Sequence, residues 1–349
     1  MAAITPALIK ELRARTNAGL SDCKNALVEA DGDLDGAVDV ILKKGIVKAA
    51  SRAGKVATEG QVATWVSADG KKGVIVEVNC QTDFVARGDD FKAFVKNVLA
   101  VAQTLAQKGL AKGADLGAQI YPGSEKTIDL VRQELVGTIG ENIVVRRWDS
   151  LEASGPNGIV KDYVHQGGKL AVLIAAEAPT ADTKHAEFTG FVENAAMQVA
   201  AMNPLVVDKS ELSQSQIDKQ KEIYFAQMQE EVESAKARLA ELDAATDLSP
   251  AELAKERKAA QARKGPPEAM WPKIIDGKVT KWYSEVTLLG QDNVWAPGEG
   301  SIDAIRKELG KKLGGELKLN AFLRFGLGEG IEKKTEDLAA EVAKTIGGA

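Results

Sequence analysis

Residues 60–76 read "GQVATWVSADGKKGVIV" and residues 158–174 read "GIVKDYVHQGGKLAVLI". The two stretches align without a gap at an offset of 98 (158 − 60). Val62 falls on Val160, Trp65 on Tyr163, Gly70 on Gly168 and Lys71 on Lys169. In the first copy "QVATWV" alternates, "SADGKK" carries an Asp-Gly turn signal, and "GVIVEV" follows. That pattern predicts a β-hairpin. Its recurrence marks an internal duplication.

The repeat extends beyond the hairpins. Each leads to a helix-period run, "FKAFVKN" at Phe91 and "FTGFVEN" at Phe188, now at an offset of 97 (188 − 91). A third block, "TIDLVRQEL" at Thr127, recurs as "SIDAIRKEL" at Ser301, and each precedes a strand-like run, "IVVRRW" or "NAFLRF". That offset is 174 (301 − 127), so the second copy holds 77 extra residues (174 − 97). Each copy reads hairpin, helix, helix, strand. The expected fold class is α+β, with a sheet covered on one face by helices. The core N-subdomain is placed at 60–150 and the core C-subdomain at 151–203 and 276–328.

The extra residues fall at 204–275. Ile217, Tyr224, Met228, Val232, Ala235, Leu239 and Leu242 are spaced 7, 4, 4, 3, 4 and 3, close to an a/d seam. A helix of ~30 residues would extend ~45 Å. "DAATDLSP" turns the chain, "AELAKERKAAQARK" returns as a partner, and "GPPEAMWP" leads back. This predicts an inserted helical hairpin, a coiled-coil arm.

Upstream, residues 1–45 read as a three-helix module. Thr5-Pro6 is a cap followed by proline at the first helical position. A second helix restarts after Gly19 with Ser21 as its cap. A third follows the Asp31-Gly32 turn and stops at Gly45. Alone, so short a unit is marginal, which suits a docking module better than an enzyme. The basic, small-residue stretch 46–59 reads as a linker, and 329–349 as a short C-terminal helical module.

Composition narrows the function. The chain has 349 residues, 44% hydrophobic and 27% charged, with a formal net charge of −5. It is long enough for two to three domains. The acidic balance makes nucleic acid a poor main partner. The first twenty residues carry Lys10, Glu11, Arg13 and Arg15 and lack a signal peptide's apolar core. No apolar run approaches the ~20 residues a bilayer requires. Two cysteines, Cys23 and Cys80, suit a reducing cytoplasm.

Motifs for chemistry are scarce. No phosphate-binding loop is present, and "GLGEGI" at 326–331 reads as a turn. His165 and His185 are the only histidines and lack ligand-spaced partners. Cys80 reads as a strand-end packing residue, with nothing nearby to lower its pKa. No metal or cofactor is expected.

The run "NCQTDFVARGDDF" at 79–91 stands apart. Asp83 and Phe84 align with Thr180 and Ala181, so the duplicated scaffold is shared and the Asp-Phe pair is not. Loops on a rigid scaffold often carry function. Two arrangements compete on the residues alone. In one, Thr82 or Asp83 caps a helix and Phe84 tucks into the core. In the other, Phe84 is an exposed aromatic wedge beside a carboxylate.

Three blocks in this order, "ALIKELRARTNAGLSDCKNAL", "NCQTDFVAR" and "FGLGEGIEKKTEDLAAEV", resemble the elongation factor Ts family. The resemblance covers nearly the whole chain. It implies that the N-terminal module is ubiquitin-associated-like. It further implies a non-enzymatic guanine nucleotide exchange factor acting on elongation factor Tu in translation elongation. The nucleotide motif would then belong to the partner. Carried over residue by residue, Phe84 would be a wedge in the partner's GTPase domain, with Asp83 hydrogen-bonding beside it and Thr82 and Val85 flanking. Arg13, Leu20 and Lys24 would touch the same domain; Ser21, where the family often has methionine, departs from the pattern. His165 would face another partner domain, against its alternative as a hairpin-turn residue. Ile274 and Ile275 lie in the similar segment "WPKIIDGKVTKWY", in which Lys278 stands where arginine is common. A homodimer or a 2:2 complex with the partner is left open. Two other classes compete: a ubiquitin-associated-like docking or scaffold protein with a different partner, and an enzyme built on the duplicated core.

Overall fold

A computed structural model describes residues 4–16, 18–109, 114–245, 248–263 and 265–332. The expected C-terminal module falls outside them beyond residue 332. The chain divides into two compact units, Met1–Ala201 with Gly310–Ala349, and Met202–Leu309.

In the first unit, β1 (Glu59–Val66), β2 (Lys72–Cys80) and β3 (Ile143–Glu152) form an antiparallel sheet in the order β1-β2-β3. The second copy builds β4 (Gly158–His165), β5 (Leu170–Glu177) and β6 (Lys318–Gly326) into a sheet of order β4-β5-β6. Even the irregularity repeats. The ladder shifts between Glu77 and Val78 in one sheet and between Ala175 and Ala176 in the other, positions related by the offset of 98 (175 − 77). A bulge placed identically in both copies belongs to the unit that was duplicated.

The central strand β2 is buried on both faces. Val74, Val76, Val78 and Cys80 pack with Phe91, Phe94, Val95 and Val98 of α5 (Asp89–Gln107). On the other face Ile75 joins Val62, Val160, Leu173 and Ala175 between the two sheets. This explains the nearly continuous apolar run of "GVIVEV", because a strand with no solvent face has no polar positions to alternate. The sheets are stitched reciprocally. Val62 N–H donates to Gly168 O at 2.7 Å, and Val160 N–H donates to Gly70 O at 2.6 Å. Within each sheet, Ala153 N–H to Lys71 O and Leu327 N–H to Lys169 O extend equivalent ladders, at 2.8 and 2.9 Å. In the second copy, Glu193 of α7 (Ala186–Met202) pairs with Lys161 of β4 at 2.9 Å.

One buried charge breaks this symmetry. Glu77 on β2 stands where the second copy has Ala175, and it is fully buried. Its carboxylate accepts from Arg146 Nη1 at 2.9 Å, Arg147 Nε at 2.5 Å, Asn79 Nδ2 at 3.1 Å and the Gly328 N–H at 2.8 Å. Arg147 also lies 4.1 Å from the Phe325 ring centroid. The "GLGEGI" turn is thereby clipped to the first sheet. Gly328 has φ +70, and a Cβ there would lie 2.7 Å from Thr58 O, so glycine is required.

The N-terminal module is α1 (Pro6–Thr16), α2 (Leu20–Glu29) and α3 (Leu34–Arg52), around Leu12, Cys23, Ala26, Leu27 and Ala37. Thr5 caps α1 as expected, its hydroxyl accepting from Leu8 N–H at 3.3 Å. Two expectations are corrected. Ser21 is not the cap of α2: Gly19 occupies the N-cap position and Ser21 lies inside the first turn. Nor does the third helix stop at Gly45. It runs on to Arg52, into the first half of the stretch 46–59 expected as a linker, because Gly45 is a packing residue and not a terminator. There α3 crosses α6 (Ile128–Ile139), and a Cβ on Gly137 would sit 2.5 Å from Gly45 Cα.

In the second unit, α8 (Gln214–Ala244) spans 31 residues behind a Ser213–Gln216 capping box. It pairs with α9 (Pro250–Arg263) and α10 (Trp271–Val286). Met228 packs with Trp271, Ile275 and Val279, flanked by Ile217, Tyr224 and Val232. The apolar seam of α8 is thus shared between two helices, and the unit is wider than the expected arm at 204–275. Main-chain bonds join the segment before α8 to the one after α10: Leu205 N–H to Val286 O at 2.8 Å, Leu288 N–H to Val206 O at 2.9 Å, and Leu289 N–H to Val207 O at 3.0 Å.

Two outcomes follow from these contacts. Gly137→Ala forces two backbones apart and is expected to cost about 1–3 kcal/mol, whereas Gly45→Ala, whose Cβ would have 3.8 Å clearance, gains helix propensity of up to about 1 kcal/mol. Thermal unfolding of both variants, with tryptic cleavage after Arg52 and Lys55, checks this opposite sign. Burial alone would raise the Glu77 carboxyl, but Gly328, Arg147, Arg146 and Asn79 hold it below its ordinary value. Its contribution is therefore present above the unfolded pKa of ~4.3 and fades as pH falls through the lower folded value. Glu77→Gln should lose about 3 kcal/mol at pH 7 in urea unfolding, with the gap narrowing below about pH 4.

Candidate functional site

The site is built where β2 ends. Cys80 closes the strand, and the short helix α4 (Asp83–Arg87) follows at once. Thr82 is its N-cap, with Oγ1 accepting from Val85 N–H at 3.4 Å. The cap is itself held from outside. Glu141 accepts the Thr82 N–H at 3.0 Å through one carboxylate oxygen and the Thr82 hydroxyl at 2.8 Å through the other. Gln81 Oε1 accepts from Asn142 N–H at 2.8 Å.

Within α4 the faces divide. Val85 and Ala86 pack against the first core cluster. Phe84 lies on the opposite side, 81% exposed. Asp83 pairs with Arg87 at 2.6 Å, one turn along the same helix. Of the two arrangements the sequence left open, each supplied one half: Thr82 caps the helix, and Phe84 stays out of the core. A lone aromatic ring held so far into water lacks the usual burial reason for its presence.

Cys80 is a packing residue. Its thiol is pushed up to about 12, first by burial and then by the Glu141 and Glu59 carboxylates. Its Sγ donates to Thr82 O at 3.2 Å.

The other candidate residues are dispersed. Arg13 is exposed on α1, and Leu20 and Lys24 are exposed one turn apart on α2, Leu20 at 59%. His165 ends β4, exposed, with Nδ1 2.9 Å from Tyr163 Oη. It is also the last residue before the β4–β5 turn. Ile274 is half-buried, and Lys278 lies 5.5 Å from the Tyr224 ring centroid. Ile275 departs from expectation. It is buried in the helical unit against Met228 and Val279, so it is a packing residue there and not a surface contact.

Glu141, Asn142 and Arg87 were not singled out from sequence. Glu141 acts across 59 residues; its only local sign is the Gly140 C-cap, φ 82, which ends α6 and frees the next residue to turn back. Among the described residues no helix is long and apolar enough to cross a membrane.

If Cys80 is sealed and protonated as described, iodoacetamide at pH 8 should leave it unmodified in the native protein and alkylate it only in denaturant. Peptide mass mapping reads this directly, and native-state labelling of Cys80 would contradict its burial.

Comparison with known proteins gives a concordant result. The family described as Elongation factor TS matches residues 81–329. A protein of Nitratiruptor sp. named Elongation factor Ts is 40% identical over 341 residues, covering 98% of each chain. Proteins of the same name from Clostridium perfringens and Trichlorobacter lovleyi are each 38% identical, over 99% of each chain. With the duplicated core, the capped Asp-Phe helix and this similarity along nearly its whole length, the chain belongs to the elongation factor Ts family.

Proposed function

We propose that this chain is a guanine nucleotide exchange factor. It binds GDP-bound elongation factor Tu and accelerates GDP release during translation elongation, without itself catalysing a covalent step. Phe84 is the wedge, entering between elements of the partner's GTPase domain, with Asp83 hydrogen-bonding beside it and Thr82 and Val85 forming the base. Arg13, Leu20 and Lys24 add a second contact from the N-terminal module, and His165 and Ile274 reach other parts of the partner. The action is cytoplasmic and needs no cofactor in this chain.

The observation that carries this reading is the 81% exposure of Phe84 on a helix pinned at its cap. A rigid, desolvatable aromatic is a common interface anchor. The energetics follow from linkage. If the factor binds nucleotide-free partner more tightly than GDP-bound partner, it weakens GDP binding by the same ratio.

The test is release of fluorescent GDP from elongation factor Tu with and without this protein. Phe84→Ala should lower the stimulated rate roughly thirtyfold, the equivalent of about 2 kcal/mol at a hot spot. Its melting temperature should stay at the parent value, since the ring contributes little to the core. Stimulation by the variant equal to the parent's would refute the wedge. Binding without any faster release by the parent would favour a docking role instead.

A further inference from the structure

We infer that Glu141 and Asn142 are positioning residues that hold the Phe84 helix and the N-terminal module in one fixed register, an inference that rests on the exchange reading above. The adjacent side chains face two ways. Glu141 takes the N–H and the hydroxyl of Thr82, at 3.0 and 2.8 Å. Asn142, only 3% exposed, donates its side-chain amide to Lys55 O at 2.8 Å and Ala53 O at 3.5 Å, just past the end of α3. Its own N–H goes to Gln81. The loop that carries Phe84 and the helix that carries the module therefore end on neighbouring residues of one short connection.

The hydroxyl geometry shows why Glu141 matters to the wedge. A threonine cap needs a free lone pair aimed at the helix. With its proton given to Glu141, Thr82 Oγ1 presents one to Val85 N–H. α4 has five residues, far too few to be helical unaided. Its order is supplied by the Thr82 cap at one end and by Val85 and Ala86 on the core at its side. An aromatic ring can displace a partner's elements only if its own base does not yield. Asn142 extends the same constraint to the module, so that Leu20 and Lys24 meet the partner at a fixed offset from Phe84. α1 and α2 pack on α3, which transmits this register.

The experiment combines amide hydrogen exchange with GDP release, using the full chain. Glu141→Ala should speed exchange at the Val85 and Ala86 amides at least tenfold while the Val76 and Val78 amides keep the parent's protection. It should lower stimulated GDP release about tenfold. Glu141→Gln, which retains an acceptor for Thr82, should recover part of both. Glu141→Ala combined with Phe84→Ala should be no slower than Phe84→Ala alone, because a wedge already removed cannot be mispositioned. Unchanged protection of α4 in Glu141→Ala, or multiplicative losses in the double variant, would overturn the inference. Asn142→Ala should speed exchange in both 53–58 and 81–86; a change confined to one segment would overturn the shared register. If Phe84→Ala stimulates normally, the exchange reading fails, and the hydrogen-exchange arm still decides whether Glu141 positions the loop.

Discussion

Burial of β2 on both faces is the constraint on which the first unit depends. Val74, Val76 and Val78 face α5, and Ile75 faces the second sheet, so the strand cannot slip by one residue without turning each set toward the wrong layer. The end of such a strand is a fixed point. Thr82 follows Cys80 by two residues, and the helix bearing Phe84 starts immediately after. The exposed ring inherits the precision of the most buried strand through a connection too short to move.

The duplication gives the core its frame, and departures from it mark where the copies acquired different tasks. Val62 and Val160 make the same hydrogen bond in opposite directions. Glu77 against Ala175, and Phe84 against Ala181, share no such relation. The first holds the turn after β6 to the opposite sheet. The second puts an apolar ring into solvent. Neither substitution is accounted for by the packing of a single copy.

Much of this was legible in the sequence, because the signals were local or repeated. The hairpins, the paired helices and the long α8 follow from Asp-Gly turns, apolar periods and the offsets of 98, 97 and 174. What was not legible depends on contacts far apart in the chain. Gly45 reads as a helix end, yet it is the point where α3 meets Gly137. Ile275 reads as one of two similar isoleucines, and only the fold of α10 on α8 buries it and leaves Ile274 half-exposed. Glu141 has no pattern of its own, since its partner lies 59 residues away. For Phe84 the residues allowed both a core and a surface position; the step of about 100° around the helix from Phe84 to Val85 decides, because only one side of α4 meets the core.

Inside the second unit, two distant segments are held together by the backbone alone. Leu205, Val206 and Val207 run beside Val286, Leu288 and Leu289, joined by three main-chain hydrogen bonds. The helices α8 and α9 and nearly all of α10 lie between the two bonded segments. Because these bonds join main-chain atoms, they fix the spacing of the two segments whatever side chains the segments carry.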